Sequence, residues 1–398
     1  MINSSHPVEQ SKRTPIVAIL RGWAILGVAI GNYSDFINVG LPQKPGNNII
    51  SEVLYYISRY FFASKSWTLL ALLFGYGFAI LINNVSAKGK NPVTFFTWRM
   101  LLLLVLAIIH TSFWFGDILK DYVVLGLLLL LFYKFSAKTV TIICAFLVLT
   151  IPFVTAFVKT ITFELPQIIT NPEYIKLYYS GNWLDFFRFN FIASVYGQIL
   201  IPDYAITGHI IMFACMLFGL LLQKTAFFNR LNDFKKTLHY ILIISLCIAV
   251  MTGVSLYTAI AYKAAFLNFF HPHYWLVLST MIFIATGIIL LYSKGKLKRI
   301  FDYLSAGGKM TLTNYIFQNI AAAFIFSGIG LAIKNSMPYW FYFSLACSVF
   351  ILQLFISKWW LAKYNYGPIE WLWRSASYQR FFPFKKIPTE VISEIKPI

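Results

Sequence analysis

His110 stands in a hydrophobic run, Arg99-Met-Leu-Leu-Leu-Leu-Val-Leu-Ala-Ile-Ile-His110-Thr-Ser-Phe-Trp-Phe-Gly-Asp117-Ile-Leu119, that holds just two other ionisable side chains. On a helix turning about 100° per residue, Arg99, His110 and Asp117 fall within roughly 20° of one line. At about 1.5 Å per residue, His110 lies ~16 Å beyond Arg99 and Asp117 a further ~10 Å on, outside hydrogen-bond reach of the histidine. The spacing predicts a polar ladder along one face of a single helix. A histidine there, with a reference pKa of about 6.5, is suited to general-base work. Asp117, out of its reach, is assigned to binding an acceptor and Arg99 to binding substrate. The same pattern also fits a structural histidine bonded to a neighbouring helix, and the residues leave both readings open.

Other polar residues sit in similarly apolar surroundings. Arg21 could fork onto a phosphate or carboxylate, or reach out to the headgroups. Asn32 follows it by eleven residues on the same face, and Lys65 stands at the mouth of the next apolar run. Farther on, Thr311, Asn314 and Gln318 share a stripe that Asn319 flanks; these amides bind substrate or bond helix to helix. Glu370 and Arg374, four apart, read as a helical ion pair. Several chemistries lack their residues. There is no Gly-x-Ser-x-Gly elbow and no His-Glu-x-x-His helix, and Gly307-Gly308-Lys309 is followed by Met310 where a phosphate loop needs Ser or Thr. His271-Pro-His273 offers two nitrogens without a nearby carboxylate, so no metal site is expected.

The elements that must position these residues follow from composition. Of 398 residues 59% are hydrophobic, 19% aromatic and only 12% charged, with mean hydropathy +0.70. That is an all-α polytopic membrane bundle with the lipid bilayer as its surroundings. About ten spans are expected, near 14–33, 66–82, 99–116, 122–133, 139–157, 204–222, 238–261, 274–292, 312–333 and 340–361. They form a single transmembrane domain, 14–363, between a polar lead (1–13) and an amphipathic, basic tail (364–398). Ala71, Gly75 and Ala79 make a small-residue stripe for close helix packing. The segments 49–65, 183–204 and 364–384 mix aromatic and basic residues, as interfacial helices do.

Formal net charge is +19, which in a soluble chain would suggest nucleic acid. Here lysine and arginine crowd into alternate segments beginning with the N-terminal lead, which places both termini in the cytoplasm and requires no nucleic acid. The four cysteines are isolated in apolar runs and imply no disulfide framework.

Four segments together resemble the YeiB family of bacterial inner-membrane proteins, whose C-terminal domain is of unknown function. They are Leu20-Arg21-Gly22 with Asn32; Lys65 with Leu73-Phe74-Gly75-x-Gly77; Arg99 through His110 to Gly116-Asp117 with Tyr122; and Gly308-Lys309-Met310-Thr311-x-Thr313-Asn314-Tyr315 with Gln318, then Gly367-Pro-Ile-Glu370-Trp-Leu-Trp373-Arg374. The family is remotely similar to the transmembrane acyltransferase superfamily. This chain departs from its pattern at Ala18, where Asp is usual, and at Lys309, where Arg is common. The resemblance implies a multi-pass protein of the bacterial inner membrane. It would move an acyl group from cytoplasmic acyl-CoA, as donor substrate and without a bound cofactor, to a hydroxyl or amine of a lipid or cell-surface saccharide. A carrier or exporter with a polar translocation path is the alternative reading, and a non-catalytic membrane partner a third.

Overall fold

The computed structural model describes residues 14–40, 48–161 and 167–386. The lead 1–13 and the basic end of the tail, 387–398, lie outside the described residues. Among those described the chain is helical, with no strand beyond one isolated bridge between Tyr364 and Lys385.

Helix α1 (Pro15–Ile37) opens with proline in its first turn, where the missing N–H costs nothing. After α2 (Ile49–Ile57), Ser58–Phe62 winds as a π-turn into α3 (Lys65–Ser86). Then come α4 (Pro92–Thr111), α5 (Leu119–Leu129) and α6 (Ala137–Thr160). Asn91 caps α4 by accepting from the N–H groups of Val93 and Thr94 at 2.9 and 3.3 Å. Pro152, inside α6, cannot bond the Val148 carbonyl one turn back; the Trp275 indole donates to it instead at 2.6 Å. Short helices α7 (Pro172–Tyr179) and α8 (Trp183–Val195) lead through two π-wound turns, Tyr196–Leu200 and Asp203–Gly208, into α9 (His209–Lys224). The chain finishes with α10 (Lys235–Ala261), α11 (His273–Ser293), α12 (Lys298–Lys309), α13 (Thr311–Phe326), α14 (Tyr339–Lys363) and α15 (Pro368–Tyr378).

Eight helical runs among the described residues are long and apolar enough to cross a membrane. Two of the ten expected spans correspond to shorter helices, α5 of 11 residues and α13 of 16. Polarity is arranged inside out. His110, Asp117, Asn190, Gln318 and Asn319 are buried, whereas Ile243, Val250, Met251 and Val254 of α10 face outward. A multi-pass membrane protein requires this distribution, because lipid rewards no polar group and the bundle interior can bond them.

Helices α3 and α9 pack backbone against backbone. A Cβ at Gly75 would stand 1.9 Å from the Met216 carbonyl oxygen, and one at Gly219 the same distance from that of Leu72. Only glycine permits so close a backbone approach. Ala71 and Ala79, on the same stripe of α3, are buried.

Helix α15 docks on the start of α4. The Trp98 indole donates to the Ala376 carbonyl at 3.2 Å, and the Trp373 indole to that of Arg99 at 3.1 Å. The start of α4 and α15 therefore share one side of the bundle, here the chain-end face, and the opposite side is the far face.

Helix α4, the third expected span, departs from expectation. It starts at Pro92 and stops at Thr111, short of the expected end at 116, and the chain then turns sharply. Phe113 and Trp114 both donate their N–H groups to the His110 carbonyl, at 2.9 and 3.0 Å. The Trp114 ring is buried and stacks on Phe36 with centroids 4.2 Å apart. That burial pulls the chain off the helix axis.

Candidate functional site

The turn decides the site. Because α4 ends just past His110, Asp117 folds back over the helix terminus. His110 Nδ1 lies 2.7 Å from Asp117 Oδ1, with the two side chains 1% and 0% exposed. The expectation that Asp117 lies ~10 Å beyond the histidine is therefore corrected. It assumed one straight helix, and the straight helix ends six residues before Asp117.

Helix α13 completes the surroundings. The Tyr315 hydroxyl donates to Asp117 Oδ1 at 3.1 Å and accepts from the Ile118 N–H at 3.2 Å. Four residues on, Asn319 Nδ2 faces His110 Nε2 at 3.2 Å, while its Oδ1 accepts from Asn32 Nδ2 at 2.9 Å. This network assigns the tautomer. With the Asn319 amide nitrogen donating, Nε2 must be bare, so the proton sits on Nδ1 and points at the Asp117 carboxylate. Asp117 Oδ2 has no protein partner among the described residues.

A second cluster adjoins the first. Gln198 donates to the Asp117 main-chain carbonyl at 3.1 Å, and its side-chain oxygen accepts from Lys120 and from Ser194. Lys120 also bonds the Ser194 hydroxyl. One residue on, Asp121 accepts from the Tyr204 hydroxyl at 2.7 Å and lies 3.3 Å from His209 Nε2. None of Tyr315, Gln198, Lys120, Asp121, Tyr204 or His209 stands out as a site residue in the sequence. The one local signal is Asp117-Ile-Leu-Lys120-Asp121, three charges in five residues at the mouth of an apolar helix.

The remaining expected residues do not all join His110. Arg99 stacks its guanidinium 3.6 Å over the Trp373 ring and donates to Ser377, so it clamps α15 at the chain-end face. Its expected role in substrate binding finds no contact with the histidine, which lies roughly 16 Å along the same helix. Arg21 donates to the Leu73 carbonyl at 3.2 Å, in the space left by Gly77. Lys65 is buried and donates to the Arg59 carbonyl at 3.0 Å, closing the π-turn before α3. Asn314 donates to the Gly307 carbonyl at 3.1 Å and to Ser357 at 3.0 Å, tying α12, α13 and α14 together. Gln318 is fully buried, and neither its amide nitrogen nor its oxygen has a partner among the described residues.

One side reading also changes. Glu370 does not pair with Arg374. Its carboxylate caps α13, accepting from the N–H groups of Leu312 and Thr313 at 2.7 and 3.0 Å, and Arg374 bonds Tyr366 instead. Burial pushes the Glu370 carboxyl above its ordinary range, with the Thr313 hydroxyl and the N–H donors pulling the other way. The His271 and His273 rings stand 6.4 Å apart, and no group of three metal-binding side chains occurs among the described residues.

Comparison with known proteins bears on the second half of the chain first. Residues 222–380 match the family described as "Protein of unknown function (DUF418)". That segment carries Tyr315 and Asn319; His110 and Asp117 precede it. Over nearly its whole length the chain is similar to the "Uncharacterized protein YxaH" of Bacillus subtilis (strain 168), 28% identical across 97% of this chain and 99% of the relative. It is also similar to the "Uncharacterized 39.9 kDa protein in amylase 3'region" of Bacillus acidopullulyticus, 28% identical across 95% and 97%. No solved structure matches.

Proposed function

We propose that this protein is an integral-membrane acyltransferase. It moves an acyl group from acyl-CoA on the chain-end side to a hydroxyl or amine of a lipid or cell-surface saccharide. The lysine and arginine excess supports placing the chain-end face, and so both termini, in the cytoplasm of the bacterial inner membrane. The observation that carries the reading is the sealed His110–Asp117 pair. A carboxylate on Nδ1 fixes the tautomer and stabilises the imidazolium that forms when Nε2 takes a proton, as in other acyl-transfer sites.

The reaction follows from those atoms. An acceptor hydroxyl or amine gives its proton to Nε2 while its oxygen or nitrogen attacks the thioester carbon; the carbon–sulfur bond breaks and the thiolate leaves. Arg21, with one hydrogen bond to a main-chain carbonyl, supplies a cationic fork for the donor's phosphates. Asn319 occupies Nε2 in this structure, so the acceptor must displace its amide. The carrier reading draws on the same contacts, since Asn32, Asn319, His110, Asp117 and Tyr315 form a continuous polar chain inside the bundle.

The test is acyl transfer by the full chain in nanodiscs, with labelled acyl-CoA and a panel of lipid and saccharide acceptors. His110→Gln is expected to lower kcat by about 10²–10⁴. Turnover at the parent rate removes the histidine from the mechanism. If the parent transfers nothing, and lipids and glycans of a deletion strain show no lost acyl mass, the carrier reading replaces this one.

A further inference from the structure

We propose that the seam between α12 and α14 at the chain-end face holds an anionic phospholipid. Its phosphate lies between Arg299 and Lys358, and its acyl chains run along Ile300 and Phe355. The inference is independent of the transfer chemistry.

The seam follows from how α12 is seated. One side of this helix is pressed backbone to backbone onto α1: a Cβ at Gly22 would run into the Leu304 carbonyl, and one at Gly308 into that of Ala18. Phe301, Ser305 and Ala306 are buried on that side. The helix therefore cannot roll, and Lys298, Arg299 and Ile300 stay exposed on its other side. Four of the six residues 294–299 are basic. Among the described residues none of the four pairs with a carboxylate, the nearby Asp302 included.

Helix α14 brings a fifth cation. It ends at Lys363, and α15 starts at Pro368, so Lys358 lies on the chain-end face. The Lys358 ammonium sits 3.9 Å over the Tyr303 ring of α12, and Phe355, one turn earlier, packs on the same ring with centroids 5.1 Å apart. A ring face holds a cation in place but takes none of its three N–H groups as a hydrogen-bond acceptor would. Lys358 is exposed and forms no ion pair among the described residues, so those donors are open to an anion from outside. Arg299 and Ile300 stand four and three residues before Tyr303, one turn away on the same face. A guanidinium, which can fork onto a phosphate, thus joins the ammonium at the ring, and each helix adds an apolar side chain beside them.

Those apolar neighbours select the kind of anion. Ile300 is 54% exposed, Phe355 56% and Trp359, next to Lys358, 54%. A soluble phosphate leaves these side chains uncovered. A phospholipid covers them with its chains while its phosphate meets the cations. Basic pockets between helices at the cytoplasmic surface recognise anionic headgroups in this way, and helices with mixed basic and apolar faces lie in the headgroup region.

The experiment is native mass spectrometry of the full chain released from nanodiscs of phosphatidylcholine mixed with phosphatidylglycerol. The parent is expected to retain phosphatidylglycerol in preference, and rising salt should weaken that preference. Arg299→Gln and Lys358→Gln should each lower its retention about fivefold, the loss expected for one basic group at a lipid surface, and Lys358→Arg should restore most of it. Both side chains are exposed, so the variants should unfold at the parent temperature in detergent, which separates loss of lipid from loss of fold. Lys134→Gln combined with Lys138→Gln, two exposed cations before α6, serves as control and should change nothing. Equal retention of the two lipids overturns the inference. So does an equal loss in the control, because the charge then acts only at a distance. Displacement of the lipid by soluble glycerol phosphate also overturns it, since the apolar side chains then contribute nothing.

Discussion

Whether His110 and Asp117 meet can be settled by a double-mutant cycle, with His110→Gln and Asp117→Asn made singly and together. The 2.7 Å contact joins two sealed side chains, and hydrogen bonds to charged groups contribute about 1.5–3 kcal/mol. Removing one member of a buried pair costs more, about 3–5 kcal/mol, because the survivor is stranded. Asp117 keeps the Tyr315 hydroxyl and His110 keeps the Asn319 amide, so each single loss should fall near the lower end. The double variant should then cost little more than either single one, leaving a coupling of about 1–3 kcal/mol. Arg99→Gln combined with His110→Gln serves as control. Arg99 is committed to Trp373 and Ser377, so that pair should be additive within about 0.5 kcal/mol.

The assay is reversible unfolding of the full chain in bicelles by steric trapping, which reads free energy without denaturing the lipid. Additivity between His110 and Asp117, at the level of the Arg99 control, would refute the fold-back. It would restore a straight helix through Ser112, with the carboxylate ~10 Å away.

Four further outcomes are expected. Gly219→Val drives a side chain into the Leu72 carbonyl, where even a Cβ would stand 1.9 Å away, so thermal stability should fall by about 1–3 kcal/mol or the α3–α9 contact should open, as a cross-link between cysteines placed on the two helices would report. A lipid-soluble thiol probe should label Val105→Cys and Ile109→Cys, 55% and 56% exposed, and spare Leu103→Cys, 2% exposed; reporter fusions at Lys90, Lys235 and Lys296 should lie on one side of the membrane and those at Asn182 and Pro272 on the other. Burial holds the Glu370 carboxyl above its ordinary 4.5, so its contribution to stability is present below that value and is lost as pH rises through the folded-state value; Glu370→Gln should remove this slope from the stability–pH curve.

Features that depend on helical periodicity were legible in the chain. The face of α4 carrying His110 and Leu103 is buried, and Val105 and Ile109, off that face, are exposed, because every residue from 92 to 111 lies on one helix. Ala71, Gly75 and Ala79 read correctly as a packing stripe for the same reason. What could not be read was the end of that helix. No Gly or Pro stops α4 at Thr111; burial of Trp114 against Phe36 does, and a contact between residues far apart in the chain leaves no local signal. Glu370 failed similarly, since its four-residue spacing to Arg374 fits an ion pair while its partners are N–H groups of a helix 57 and 58 residues away. The second histidine pair joins residues 121 and 209 across three helices and two π-wound turns, so no spacing rule could find it.

In the proposed transfer Nε2 of His110 is the atom that takes the proton. Asn319 donates to it, and Asn32 holds Asn319 by its oxygen, so the base is capped by an amide pair that links α1 to α13. Asn32 is half-buried while Asn319 is sealed, which makes Asn32 the member that an arriving acceptor can reach first. A hydroxyl that replaces Asn32 on the Asn319 oxygen frees nothing at the histidine, whereas one that replaces the Asn319 amide at Nε2 presents a proton to the base directly. The exchange swaps one hydrogen bond for another, so its net free-energy cost is small next to a typical reaction barrier. The cap thus keeps Nε2 of His110 hydrogen-bonded without acceptor and, in the proposed transfer, yields when one binds. Asn319→Ala should separate the two functions. It leaves Nε2 uncapped, so acyl-CoA hydrolysis by stray water should rise relative to transfer, and an unchanged ratio would mean that the amide does not guard the base.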